Sequence, residues 1–128
     1  VPVIGVLVVD DHPLARSGIS ALLGSENGIM VVAEAKSGEE GLECFRTSRP
    51  DIAVIDVNLP GIDGWETTQK LTDEFPAALV ILTSMFGDAS YWRRAEEVGA
   101  RGFLVKTQLR GVLVSSIRAI CSGGTVFL

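Results

Sequence analysis

The sequence predicts a doubly wound α/β fold: a parallel five-stranded sheet of order 2-1-3-4-5, covered on both faces as a (βα)5 sandwich. Five short, β-branched apolar runs alternate with five longer stretches of helical spacing. Two of the runs, Val6-Leu7-Val8-Val9 and Ile52-Ala53-Val54-Ile55, are apolar without a break, as strands buried on both faces must be. Right-handed crossovers then leave 2-1-3-4-5 as the expected order. With 128 residues, 47% hydrophobic and 21% charged, the chain is long and apolar enough to bury one real core.

The first strand is expected over Val3 to Val9. The helix after it carries Leu14, Ile19, Leu22 and Leu23 on one face, and Pro13 suits its first turn. Met30 to Ala35 reads as the second strand and Gly38 to Ser48 as the second helix, with Leu42 and Phe45 inward. Ile52 to Val57 is the third strand; the third helix runs from Gly64 to Phe75 and stops at Pro76. Leu79 to Thr83 is the fourth strand. Asp88 to Val98 is the fourth helix, with Asp88 as N-cap and Gly99 as C-terminal glycine. Gly102 to Val105 and Leu109 to Cys121 complete the pattern, so the domain is expected over residues 1–122. Residues 123–128, Gly123-Gly124-Thr125-Val126-Phe127-Leu128, read as the start of a linker.

The net charge of −5 argues against this segment gripping a phosphate backbone by itself. No apolar run approaches the roughly 20 residues that cross a bilayer, so no membrane partner is expected. Val1-Pro2-Val3-Ile4 lacks the basic start of a signal peptide, which leaves a cytoplasmic location as the default. Cys44 and Cys121 lie in helical stretches with no second Cys or His nearby, and read as reduced, half-buried thiols.

In doubly wound sheets ligands bind beyond the carboxyl ends of the strands. The first strand ends in Asp10-Asp11 and the third in Asp56. Two carboxylates about 4 Å apart repel by roughly 4 kcal/mol at an effective dielectric near 20, so such a cluster calls for a cation. Hard oxygen donors suit Mg2+. Singly, Asp10 or Asp11 reads as a helix cap and Asp56 as a turn acid before Asn58-Leu59-Pro60-Gly61. The fourth strand ends in Thr83 followed by the small Ser84, and the fifth is followed by Lys106. A hydroxyl and an ammonium at that place make sense if an anion arrives: Thr83 donates, Lys106 supplies charge, and Ser84 leaves room.

Together, Val8-Val9-Asp10-Asp11, the stretch Asp56-Val57-Asn58-Leu59-Pro60-Gly61-Ile62-Asp63-Gly64, Leu82-Thr83-Ser84 and Lys106 resemble the response-regulator receiver family, whose fold is flavodoxin- or CheY-like. The resemblance covers essentially the whole chain. Asp11-His12-Pro13-Leu14, with Arg16, Gly18, Leu22 and Leu23 behind it, is similar to the NarL/LuxR-type subfamily. It implies that a sensor histidine kinase phosphorylates Asp56. It also implies that Asp10, Asp11, Asp56 and the Asn58 carbonyl hold Mg2+, Asp10 directly or through water, and that Lys106 contacts the phosphoryl group. Thr83 would turn towards that group and Phe103 move into the vacated space, or Phe103 is simply core. Phe103 stands where tyrosine is frequent and offers no hydroxyl. The output face would comprise the fourth helix, fifth strand and fifth helix, near Tyr91, Trp92, Arg93 and Arg94, with one of the two aromatics packed inward. Beyond the linker the resemblance implies a helix-turn-helix domain, absent from this chain, that binds promoter DNA, and homodimerisation on phosphorylation. Such a domain is no enzyme in its role; it catalyses only its own phosphorylation and slow dephosphorylation.

Two departures from the family pattern stand out. Thr107 follows Lys106 where many members have a cis proline; a non-proline cis bond costs about 2.5–4 kcal/mol, so a trans or strained loop is expected. Met85 occupies a position that, with Asn58, tunes dephosphorylation, and it cannot orient water; a phosphorylated state that is not short-lived follows. Three other readings fit less well. A haloacid-dehalogenase-type phosphohydrolase wants an acid two residues after Asp10, where His12 stands. Flavodoxin-type cofactor binding wants a phosphate loop after the first strand. A receiver-shaped module that is never phosphorylated has no use for the intact acids, Thr83 and Lys106. His12 itself reads as a surface residue at the helix entry in preference to a catalytic base.

Overall fold

The computed structural model describes residues 2–128; Val1 lies outside the described residues. It contains β1 (Ile4–Val9), α1 (Pro13–Gly24), β2 (Ile29–Ala35), α2 (Gly38–Ser48), β3 (Ile52–Asp56), α3 (Gly64–Glu74), β4 (Val80–Ser84), α4 (Ala89–Glu97), β5 (Gly102–Val105), α5 (Leu109–Cys121) and β6 (Val126–Phe127). The strand order is β2-β1-β3-β4-β5-β6, and every pairing is parallel. The five expected strands therefore lie in the expected order, each within a residue of its expected bounds.

β1, β3 and β4 form the buried middle of the sheet, and alternate side chains feed two separate cores. Leu7, Val9, Ala53, Ile55, Leu82 and Phe103 pack on one face with Phe45, Trp65 and Leu71. Val6, Val8, Ile52, Val54, Ile81 and Leu104 pack on the other with Leu23, Leu113 and Ile117. This two-sided burial is why these strands read as unbroken apolar runs.

Capping sets where the helices begin. Ser37 accepts from the Glu40 amide, Asp63 from the Glu66 amide, and Asp88 from the amides of Ser90 and Tyr91. Pro13 sits in the first turn of α1, whose N-cap is His12 rather than an aspartate. Gly99 follows α4 at φ +93°. The two cysteines are half-buried free thiols on α2 and α5, and burial pushes both thiol pKa values up. Among the described residues no peptide bond is cis, so the Lys106–Thr107 bond is trans. No helix there is long and apolar enough to cross a membrane.

The C-terminal residues depart from expectation. Residues 126–127 form a sixth, two-residue strand on the free edge of β5, which the sequence pattern did not predict. After α5 the Gly123 amide donates to the Ile120 carbonyl and the Gly124 amide to the Ala119 carbonyl, with Gly123 at φ +103°. This is a Schellman turn, which glycine alone enters without strain. It throws the chain back, so that the Val126 amide donates to Arg101 O and the Leu128 amide to Phe103 O.

Candidate functional site

The strand ends converge at one edge. Asp10 and Asp11 follow β1, Asp56 closes β3, Thr83 and Ser84 close β4, and Lys106 follows β5. Lys106 Nζ donates to Asp10 Oδ2 at 2.8 Å and to Asp56 Oδ2 at 3.0 Å. Both acids are nearly sealed from solvent, at 1% and 3% exposure. Burial pushes the Asp56 carboxyl up, the hydrogen bond and charge of Lys106 pull it down, and the charge of Asp10 pushes it up again; it ends above the ordinary carboxylate value. For Lys106 burial pulls the other way, but its hydrogen bonds to Asp10 and Asp56 prevail and hold its pKa above the usual lysine value. Lys106 is a fixed positive charge at neutral pH.

Backbone groups hold the acids in place. The His12 amide donates to Asp10 Oδ1 at 2.9 Å, Arg16 Nη1 to Asp10 O at 2.7 Å, and the Asn58 amide to Asp56 Oδ1 at 3.2 Å. A Cβ on Gly64 would collide with the Asp56 carbonyl, so only glycine lets the start of α3 press against the end of β3. Its amide closes that approach by donating to Val57 O at 2.8 Å.

Asp10, Asp11 and Asp56 each offer an oxygen and His12 a nitrogen, all within 4.8 Å of one another. Three carboxylates against the one Lys106 ammonium leave two formal negative charges uncompensated. Asp11 Oδ1 is buried without a well-aligned hydrogen-bond donor, although His12 Nδ1 lies 3.1 Å away. Such a donor set fits a hard divalent cation such as Mg2+. Thr83, in register with Asp56, is 1% exposed, and its Oγ1 has no partner among the described residues. A buried hydroxyl left unpaired costs free energy until an acceptor arrives, and here it neighbours a carboxylate that an oxyanion could join.

The remaining predicted residues lie around this cleft. Ser84 is buried; the exposed Asn58 joins it in lining a neighbouring hollow of about 400 Å³, with Trp65, Phe86, Tyr91 and Arg94. Met85 is exposed beyond them. Phe103 is fully buried and stacked on Trp65 at 6.3 Å between ring centroids, with Tyr91 tilted against both rings. Arg94 covers the Trp65 ring, its Cζ 4.6 Å from the centroid. Tyr91 and Trp92 both pack partly into this core, where one of them was expected to. Trp65 is the residue that sequence reasoning missed: it follows the Asp63-Gly64 pair, where an apolar helix residue signals only core. His12 was read as surface, and it is 68% exposed, yet its ring reaches the acids.

A parallel sandwich of this order, with acids, a hydroxyl and a lysine at its strand ends, is of the CheY-like class. A family model described as the response regulator receiver domain matches residues 6–118, and the chain belongs to that family, in its NarL/LuxR-type branch. It is 38% identical to the response regulator GacA of Pseudomonas viridiflava over 94% of this chain and 56% of that protein. It is 31% identical to the transcriptional regulatory protein DegU of Brevibacillus brevis, covering 94% of this chain and 51% of that one. The chain thus spans about half the length of the curated relatives it matches. A LuxR-family two-component response regulator from Aurantimonas superposes with a TM-score of 0.93 at 34% identity, over 97% of this chain and 89% of that one. The receiver domain of a putative NarL from Mycobacterium tuberculosis gives 0.90 at 31%, over 96% and 99%.

Proposed function

We propose that Asp56 is the phosphoacceptor of a two-component relay and takes its phosphoryl group from a sensor histidine kinase. The observation that carries this reading is the Lys106 ammonium bridging Asp10 and Asp56 beside the partnerless Thr83 hydroxyl. An Asp56 carboxylate oxygen bonds to phosphorus as the phosphorus–nitrogen bond of the donor phosphohistidine breaks; the imidazole keeps the electron pair, and an acyl phosphate results. Lys106 is freed to follow the incoming charge, and Thr83 donates its hydroxyl to a phosphoryl oxygen. Asp10, Asp11, Asp56 and the Asn58 carbonyl would hold Mg2+, which supplies charge neutralisation between two approaching anions. Ser84 leaves room for the phosphoryl group. Met85 cannot orient water as an acid or amide would, Asn58 tunes the same step, and the phosphorylated state is not short-lived.

Phosphorylation reaches the surface through Phe103. When Thr83 turns inward, the stack of Phe103 on Trp65 and Tyr91 repacks, and α4, β5 and α5 form the output face. Homodimerisation belongs to this step. Relatives about twice as long, among them a transcriptional regulatory protein, support a further domain beyond residues 1–122 that binds DNA through a helix-turn-helix. β6 then lies at the exit towards that domain, and the protein works in the cytoplasm. Apart from its own modification and slow dephosphorylation, the domain catalyses nothing.

The test is intact-mass spectrometry after incubation with acetyl phosphate and Mg2+. The wild type should gain one phosphoryl group and Asp56→Asn none; equal gain in both proteins would reject Asp56 as acceptor.

A further inference from the structure

We propose that His12 supplies a nitrogen ligand to the ion held by the acidic cleft, so that the site takes a first-row transition ion such as Mn2+ in preference to Mg2+. The inference rests on the cleft being a cation site and deepens that reading by naming the ion class.

Four observations carry it. The His12 Nδ1 lies 3.1 Å from Asp11 Oδ1 and 3.5 Å from Asp10 Oδ1, inside the group of donor atoms that fall within 4.8 Å of one another. The backbone fixes residue 12 beside the acids: the His12 amide is tied to Asp10 Oδ1, and residue 12 is extended (φ −90°, ψ 112°), the conformation that the following Pro13 favours. The cleft lacks positive charge, since three acids face one lysine, and Asp11 Oδ1 is buried without a well-aligned donor. Thr83, buried in register with Asp56, has a hydroxyl without a partner among the described residues, so the cleft also holds an unused polar group.

The chemistry then selects the ion. Mg2+ dehydrates reluctantly and prefers oxygen, so a neutral imidazole adds little to its binding. First-row transition ions bind mixed oxygen and imidazole donors more tightly, rising from Mn2+ through Fe2+ and Co2+. A chain with oxygen donors alone would discriminate less between Mg2+ and Mn2+.

The test uses the whole chain with Mn2+ and Mg2+, each titrated by calorimetry into wild type, His12→Ala and Asp11→Ala, with circular dichroism to verify folding. Electron spin-echo spectroscopy of the Mn2+ complex reads directly bound nitrogen. Expected are nitrogen modulation in wild type that vanishes in His12→Ala, and an Mn2+ Kd that rises about tenfold or more while the Mg2+ Kd changes less than about threefold. Wild-type Mn2+ without nitrogen modulation would overturn the proposal, as would equal weakening for both ions, which would make His12 a mere hydrogen-bond partner of Asp11. Ion binding unchanged in Asp11→Ala would instead remove the cation site itself.

Discussion

Thr83 and Lys106 are opposite cases of polar burial. Lys106, 13% exposed, has two carboxylate partners, whereas the more enclosed Thr83 Oγ1 has none among the described residues. An unpaired buried hydroxyl is a cost carried by the resting state, and replacing it with a methyl of similar volume relieves that cost. Thr83→Val is therefore expected to leave stability unchanged or raise it by up to about 1 kcal/mol, read as the urea midpoint. Wild type should change its Trp fluorescence on adding beryllofluoride and Mg2+ and this variant should not, because Trp65 stacks on Phe103 and the proposed switch couples Phe103 to Thr83. The acids, Thr83 and Lys106 were legible in the sequence because each stands at the end of an apolar run. The Trp65–Phe103 stack was not. A tryptophan in the first turn of a helix carries no sign of which strand it will meet.

Among the elements, the central strands and the caps were the clearest in the sequence, since burial on both faces and cap chemistry leave local marks. Asp88 illustrates this: Ser90 Oγ donates to its Oδ1 at 2.6 Å, and the amides of Ser90 and Tyr91 donate to the same oxygen. The Ser90 hydroxyl first, then those amides, holds its carboxyl below the ordinary aspartate value. A folded-state pKa below the unfolded one makes the cap's contribution complete above the unfolded value, about 3.9, and lost as pH falls through the lower folded value. Urea midpoints followed from about pH 6 to about pH 3 should fall more steeply for wild type than for Asp88→Asn. β6 was illegible for the opposite reason. Its two residues show no periodicity, and its partner β5 lies on the far side of α5 in the chain, reached only after the turn at Gly123. A glycine pair there reads equally well as a flexible connector.

At the scale of the whole molecule, two cores hold one sheet rigid, and charges that repel one another are gathered at its edge. The proposed cation site would link the fold to its ion: any ion bound by the folded state alone stabilises it by about 2.7 kcal/mol at a hundred times its Kd. Thermal unfolding should move upward on adding Mg2+ or Mn2+, fall back with EDTA, and show no such shift in Asp11→Ala. The central claim, however, is that the clustered strand ends make Asp56 the residue that becomes phosphorylated. Borohydride reduces an aspartyl phosphate to homoserine, and peptide mapping then locates it. After acetyl phosphate and Mg2+, homoserine at position 56 alone, absent without the metal, is the expected result; homoserine at another acid, or at none, would contradict the account.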